Sequence, residues 1–474
     1  MKSSRSTWQR FLQAALLGLV APSVPAAAQE GSSTPLEMRE VFDAVALRHP
    51  ESEIARRDVD KAEGRKFGVR GVWDPQLKLT NYVVPLGYYR YTSFESMIRQ
   101  ETPLWGLGIY AGYRATWGKL PIYRLDRETQ SGGEFRLGAD LPLWKDRKID
   151  ERRANVSKGD YLAQESRCRQ DSTRLRLALA AATTYWDWVE SGQDVRIQKE
   201  VLEWANDRDA GLREQAVVGQ IADIVVVDNQ RLVLERRSKL VKAEQSWQEA
   251  SIKLSLFLRD QNAQPVLVAE ERLPALDAVV TRDLSFDLDR DLELAIKQRP
   301  ELCELERNLA AANVDLALAR NQVAPQVNLQ SYVAKDIGSG PANLAPVEAG
   351  AAVVVSMPLA LRSARGKARE ADAARQGLVA KYQMQADKIR TEVRLAAVKL
   401  RAAQQQAELA KEQQRVARDL VAAEREKFSQ GVSTLVVVNL RELAAAQAAT
   451  DAVEAIANVE RAKLAYHIAL GETF

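Results

Sequence analysis

The 474-residue chain has only two cysteines and two histidines. Cys168 and Cys303 form no CxxC pair and stand alone in helical patterns. Neither a metal site nor a disulfide scaffold is expected from them, and both read as packing in helix seams. His49 and His467 lie far apart and read as structural. No Ser-His-Asp order, metal-ligand spacing or glycine-rich phosphate loop occurs. Gly106 and Gly108 sit inside strand alternation, where glycine suits a bend. No catalysis, cofactor or metal is therefore expected. Charge of one sign is also missing: 67 Lys plus Arg against 64 Asp plus Glu leave a net +3, which gives no reason to expect a nucleic-acid partner. Beyond the N-terminal region no run of about eighteen apolar residues occurs, so no transmembrane helix is expected there. Such a chain can enter a membrane only as a barrel, because only helices and closed barrels satisfy every backbone group in lipid.

The N-terminus is patterned as an export signal. Lys2, Arg5 and Arg10 form a positive region, Phe11 to Val20 is a short apolar run, and Ala26-Ala27-Ala28 supplies small residues for cleavage. Residues 1–28 are expected to be removed, leaving Gln29 first. No cysteine follows the apolar run, which argues against a lipid-anchored N-terminus.

The rest of the chain is written twice. His49-Pro50-Glu51 returns as Arg299-Pro300-Glu301, and Pro75-Gln76-Leu77 as Pro325-Gln326-Val327, both at an offset of 250. Leu141-Pro142-Leu143 returns as Met357-Pro358-Leu359. Arg213-Glu214, Gly219 and Val225-Val226 return as Arg425-Glu426, Gly431 and Val437-Val438. The expected division is a first repeat over 29–264, a linker over 265–287 and a second repeat over 288–474.

Each copy opens with a helical stretch; Ile54, Val59, Ala62 and Phe67 recur at helical spacing in the first. Proline then ends the helix and an extended region follows. Leu107, Ile109, Ala111, Tyr113, Ala115 and Trp117 alternate with Gly108, Tyr110, Gly112, Arg114, Thr116 and Gly118. Phe135, Leu137, Ala139 and Leu141 alternate with Glu134, Arg136, Gly138 and Asp140. In the second copy Val327, Leu329 and Val333 alternate with Asn328, Gln330 and Tyr332. Period two over about ten residues is the signature of a membrane strand, although a soluble sheet alternates too. The concentration of thirteen of the thirty aromatic residues between Trp73 and Trp144 favours the membrane, where aromatic girdles flank the apolar band.

Proline is absent from Leu143 to Gln264 and after Pro358. One seam runs through Val379, Tyr382, Ala386, Ile389, Val393, Ala396, Leu400, Ala403, Ala407, Ala410, Gln414, Ala417, Val421, Glu424 and Phe428. Its alternating steps of three and four mean coiled coil. Leu175, Leu179, Ala182, Trp186 and Val189 begin the matching seam. Gly219 and Gly431 fall at the hairpin turns, and the return helices are expected to end near Leu258 and Leu470. Four to six strands per chain cannot close a barrel, since closed forms use about eight or more. Several copies must share it.

This order of parts resembles the TolC family of outer-membrane efflux proteins over essentially the whole mature chain. The likeness rests on the doubled proline marks, the strand-to-helix junctions at Pro142 and Pro358 and the turns at Gly219 and Gly431. The resemblance implies an α+β membrane protein: a homotrimeric outer-membrane β-barrel with about four strands per protomer, continued by an α-helical coiled-coil tunnel into the periplasm. It implies a passive duct of an efflux or type I secretion system, whose partners are a periplasmic adaptor and an inner-membrane transporter. The adaptor would meet the tips, Val218-Gly219-Gln220-Ile221 and Gly431-Val432-Ser433-Thr434. The gate, acidic in many relatives, would fall at Val437 and Leu440; acidic residues remain only in the first copy, at Asp223 and Asp228. One departure stands out. Pro75 to Pro142 spans 67 residues but Pro325 to Pro358 only 33, leaving room for an extra hairpin, Phe94 to Gln100 with Leu107 to Trp117. The alternative is a periplasmic adaptor or coiled-coil scaffold, which would carry one hairpin without the doubled marks.

Overall fold

The computed structural model describes residues 34–276 and 287–472. The expected export signal, 1–28, lies outside the described residues, as does 277–286 of the expected linker. Two helices open each half: α1 (Met38–Arg48) and α2 (Pro50–Arg70), then α5 (Leu288–Gln298) and α6 (Pro300–Asn321). Pro50 and Pro300 stand in the first turn, where a missing N–H costs nothing. His49 caps α2, its Nδ1 accepting from the Glu51 N–H at 3.2 Å, and its ring stacks on Phe257. Ile54 and Phe67 do not pack inward as their spacing suggests; they are 61% and 81% exposed.

A single antiparallel sheet follows, in the order β1 (Gln76–Val84), β2 (Tyr91–Glu101), β3 (Gly108–Gly118), β4 (Glu134–Pro142), β5 (Gln326–Asp336) and β6 (Glu348–Ser356). The expected extra hairpin is therefore real and somewhat longer than its alternation suggested. It pairs throughout as β2–β3, while β4–β5 joins the two halves. The sheet thus has six strands, the upper end of the four to six expected, with residues 76–101 extended and paired as β1 and β2. Between β2 and β3, Trp105 at φ +52° and Gly106 at φ +75° form the left-handed pair that a tight turn requires. A Cβ on Gly106 would also strike Pro142 Cγ at 2.8 Å.

From β4 and β6 the chain runs into two long helices, α3 (Glu151–Val217, 67 residues) and α7 (Arg362–Ser429, 68 residues). At 1.5 Å per residue each reaches about 100 Å. They return through α4 (Asp223–Ser255) and α8 (Leu435–Leu470). Along α7 the seam from Val379 to Phe428 is buried or half-buried at every position, Ile389, Val393, Leu400 and Ala407 completely so. Among the described residues no helix is long and apolar enough to cross a membrane.

Two clusters hold the middle of the bundle. Val41, Trp188 and Leu254 lock α1, α3 and α4 together; Leu302, Ile389, Val393 and Tyr466 lock α6, α7 and α8. Residues 265–276, expected as linker, belong partly to the first cluster. Val268 and Leu273 are buried there, and the Leu36 N–H donates to the Arg272 carbonyl at 2.8 Å. The cysteine expectation is overturned. Cys168 on α3 and Cys303 on α6 form a disulfide across a separation of 135 residues. Their seams meet because α6 lies along α3, a long-range packing that no local spacing reveals.

Such a bond limits the unfolded chain by closing a long loop. Replacing Cys168 and Cys303 by alanine together should lower the unfolding free energy by about 2–5 kcal/mol. The urea midpoint of the oxidised protein, compared with that of the double variant, measures it. Equal midpoints, with equal gel mobility with and without reductant, would mean the bond does not form.

Candidate functional site

The sheet separates its side chains sharply. The pairing register puts Leu77, Leu79, Ile98, Ile109, Leu137, Val333, Val353 and Val355 on one face, between 42% and 66% exposed. The other face is ionic. Arg99 binds Glu101 at 2.7 Å and Asp140 at 2.8 Å, and Arg152 of α3 reaches Glu101 at 3.1 Å. Arg114 and Arg136 share Glu134 at 2.6 and 2.8 Å, and Arg136 stacks on Tyr332. Gly138 and Gly350 on this face lie under the Tyr110 and Tyr332 rings, which fill the space a side chain would take. An apolar face left bare while the charges pair on the opposite side is an inside-out sheet compared with a soluble domain. The strands are 9–11 residues long, the length a tilted strand needs to cross hydrocarbon. Trp105 and Trp144 are exposed at the helix end of the sheet, Tyr88, Trp117 and Tyr123 toward the far end.

At the opposite end of the molecule, both hairpins turn by the same device. Gly219 at φ +73° and Gly431 at φ +77° end their helices in the left-handed region. The next N–H, on Gln220 or Val432, donates to the carbonyl five residues back, Gln215 or Lys427, at 2.9 Å in each case. Nothing lies within 4 Å of a Cβ at either glycine, so backbone angle alone selects the residue. Of the remaining tip residues Val218, Gln220, Val432 and Thr434 are exposed, and Ile221 and Ser433 are half-buried; the Ser433 hydroxyl donates to Glu424. Beside them Ile221, Ile224, Val227, Phe428, Leu435 and Val436 line an open groove of about 690 Å³. Leu440 is 63% exposed just above, whereas Val437 is half-buried. Asp223 is exposed in the first turn of α4, and Asp228 pairs with Arg231 at 3.2 Å.

Sequence reasoning missed the ionic node that ties all four long helices together. The Glu442 carboxylate of α8 is fully buried. It accepts from Arg208 of α3 at 2.9 and 3.1 Å, from Arg236 of α4 at 2.9 Å and from Arg425 of α7 at 3.0 and 3.1 Å. Asn439 accepts from Arg208 at 2.8 Å, Asn229 accepts from the same guanidinium at 3.1 Å, and Arg236 also donates to the Val201 carbonyl. Arg425 covers the Trp204 ring and carries the excess positive charge toward solvent. Burial pushes the Glu442 carboxyl upward, but the bonded Arg208 and Arg236 outweigh it and hold it below its ordinary value. The one signal was periodicity: Asn439 and Glu442 occupy the same stripe of α8 as Leu435, Val438 and Ala446.

Among the described residues no group of three His, Cys, Asp or Glu is placed to hold a metal ion. No protein-family profile matches the sequence, and no curated protein matches it. Solved structures do match in fold. The outer-membrane channel OprN superposes with a TM-score of 0.66 at 15% identity, over 92% of this chain and 89% of its own. The MtrE outer-membrane channel of Neisseria gonorrhoeae gives 0.65 at 15%, over 92% and 89%. CusC, described by its transmembrane channel formation, gives 0.63 at 15%, over 94% and 95%. The chain thus shares the fold of these outer-membrane channels along nearly its whole length.

Removing one partner from a buried ion pair leaves the others uncompensated. Glu442→Ala should therefore destabilise the hairpins by about 3–5 kcal/mol. A carboxyl held below its ordinary value stabilises the fold fully above its unfolded pKa. That contribution is lost as pH falls through the folded value, so it should fade below the ordinary 4.5. Amide protection factors at the start of α8, taken relative to the intrinsic exchange rate at each pH, should fall on acidification in the natural protein, and already at neutral pH in the alanine variant. Unchanged protection in both would remove the node's energetic role.

Proposed function

We propose that this chain is one subunit of a trimeric outer-membrane export channel, the passive duct of an efflux or type I secretion system. One observation carries the reading: a single sheet, bare and apolar on one face and ionic on the other, runs directly into two hairpins on the order of 100 Å long. In lipid the apolar face contacts hydrocarbon and the ionic face lines water. The hairpins then continue the pore wall into the periplasm as a helical tunnel. Residues 29–264 and 288–474 act as two copies of one plan within each subunit. The duct performs no bond chemistry. A periplasmic adaptor and an inner-membrane transporter deliver cargo to its lower mouth. Native mass spectrometry of detergent-extracted outer membranes should give a trimer, and a stable monomer with full β-structure would end the proposal.

The hairpin tips are the adaptor's docking points. Val218-Gly219-Gln220-Ile221 and Gly431-Val432-Ser433-Thr434 flank the apolar groove, and their backbone is set by two glycines rather than by side-chain packing. Gln220→Arg together with Ser433→Arg should preserve assembly and abolish export. Export that survives both changes would place docking elsewhere.

The gate lies beside the tips. Rings of Leu440 and Val437 from three subunits close the pore by excluding water, without fixed charge. Asp223 and Asp228 sit on the other hairpin, Asp228 neutralised by Arg231. Asp substituted at both Val437 and Leu440 should create block by multivalent cations in planar-bilayer recordings. Strong block in the natural protein, relieved by Asp228→Ala, would move the gate to the first hairpin.

A further inference from the structure

Among the described residues, strands β1 and β6 each leave one backbone edge without a partner. The two edges match. Both strands are nine residues long, and both pair with their inner neighbours without a bulge. Six strands in simple antiparallel order make β1 and β6 run in opposite directions. A join from β6 of one copy to β1 of the next therefore continues the antiparallel ladder. The faces continue too, since Leu79 and Val83 on β1 lie on the same side as Val353 and Val355 on β6. The edges carry few of the devices that keep edges apart. There is no proline within them, and the charges are Lys78, on the ionic face, and Glu348, at the start of β6. These edges suit pairing with a second copy of this chain.

We propose that β6 of one copy pairs with β1 of the next, so that the β1–β2 hairpin stands in the barrel wall. The inference rests on the trimeric channel reading above. Three copies of six strands then close a barrel of eighteen, where about four strands per copy would close twelve. At about 4.8 Å between strands and a tilt of about 40°, eighteen strands enclose a backbone diameter of roughly 36 Å, against roughly 24 Å for twelve. The outer-membrane section is then a wide vestibule lined by paired charges such as Arg99–Asp140 and Arg136–Glu134. Cargo size is limited at the periplasmic mouth, not in the membrane.

Cysteine cross-linking of the full-length protein in its native membrane tests this. Leu79→Cys or Val83→Cys on β1 is combined with Ala351→Cys, Val353→Cys or Val355→Cys on β6. After oxidation, at least one pairing should give dimers and trimers on non-reducing gels. The same β6 cysteines combined with Ala111→Cys on β3 should give none. Cross-links through Ala111→Cys, or a trimer by native mass spectrometry in which no β1–β6 pair links, would overturn the eighteen-stranded wall and leave the trimeric channel standing. A monomer in the same measurement would overturn both.

Discussion

A backbone amide or carbonyl shut away from water must find its partner within protein, and both the ladders of the sheet and the long helices answer that need. Within the sheet, five continuous ladders satisfy the strands from β1 to β6. Among the described strands the outer edges of β1 and β6 are the long ones left open, and in the proposed trimer a second copy supplies their matching groups. The same rule sets the helical part. Once β4 and β6 leave the sheet, α3 and α7 carry their backbone bonding internally for 67 and 68 residues, so they need no partner to extend far from it. Side chains then decide only how the helices lie together.

They decide it in two styles. Through most of the bundle small and branched apolar residues meet, with alanines at Ala386, Ala396, Ala403 and Ala407 letting α7 approach its neighbours closely. Near the tips the style changes to charge, and one carboxylate, Glu442, gathers guanidiniums from the three other long helices. Apolar contacts are tolerant of sliding; hydrogen bonds from three forks to one carboxylate are not. The node therefore fixes the register of two hairpins that otherwise share a permissive, alanine-rich surface. Its position just above the groove and the glycine turns means that whatever moves the tips must act against it.

Much of this was legible in the residues. Strict alternation around Leu107–Trp117 and Phe135–Leu141 marked strands because a half-wetted sheet forces period two. The α7 seam was legible because a coiled coil forces period 3.5. Gly219 and Gly431 were legible as turns because left-handed backbone excludes most other residues. Long-range meetings were not. Nothing near Cys168 states that Cys303 will lie beside it, since α6 reaches α3 only through the folded arrangement. Arg208, Arg236 and Arg425 look like solvent-facing charges in any local window, and only their joint approach to Glu442 reveals otherwise. The β1 strand was missed for a different reason: Gln76–Val84 alternates weakly, with Asn81 on the apolar face and Val84 on the ionic one, so its character comes from pairing with β2.

The bridge between Cys168 and Cys303 also changes what the chain is as a covalent object. Everything from the upper part of α3, down the first hairpin, back through α4 and into α6 becomes a closed loop. The second hairpin hangs outside that loop as an open tail. A protease that nicks the exposed turn at Gly219 cuts a ring and leaves one molecule, still tethered on both sides of the wound. The same nick at Gly431 severs α8 and with it Glu442. The two tips share a backbone shape, yet damage to one is mended by topology and damage to the other is not.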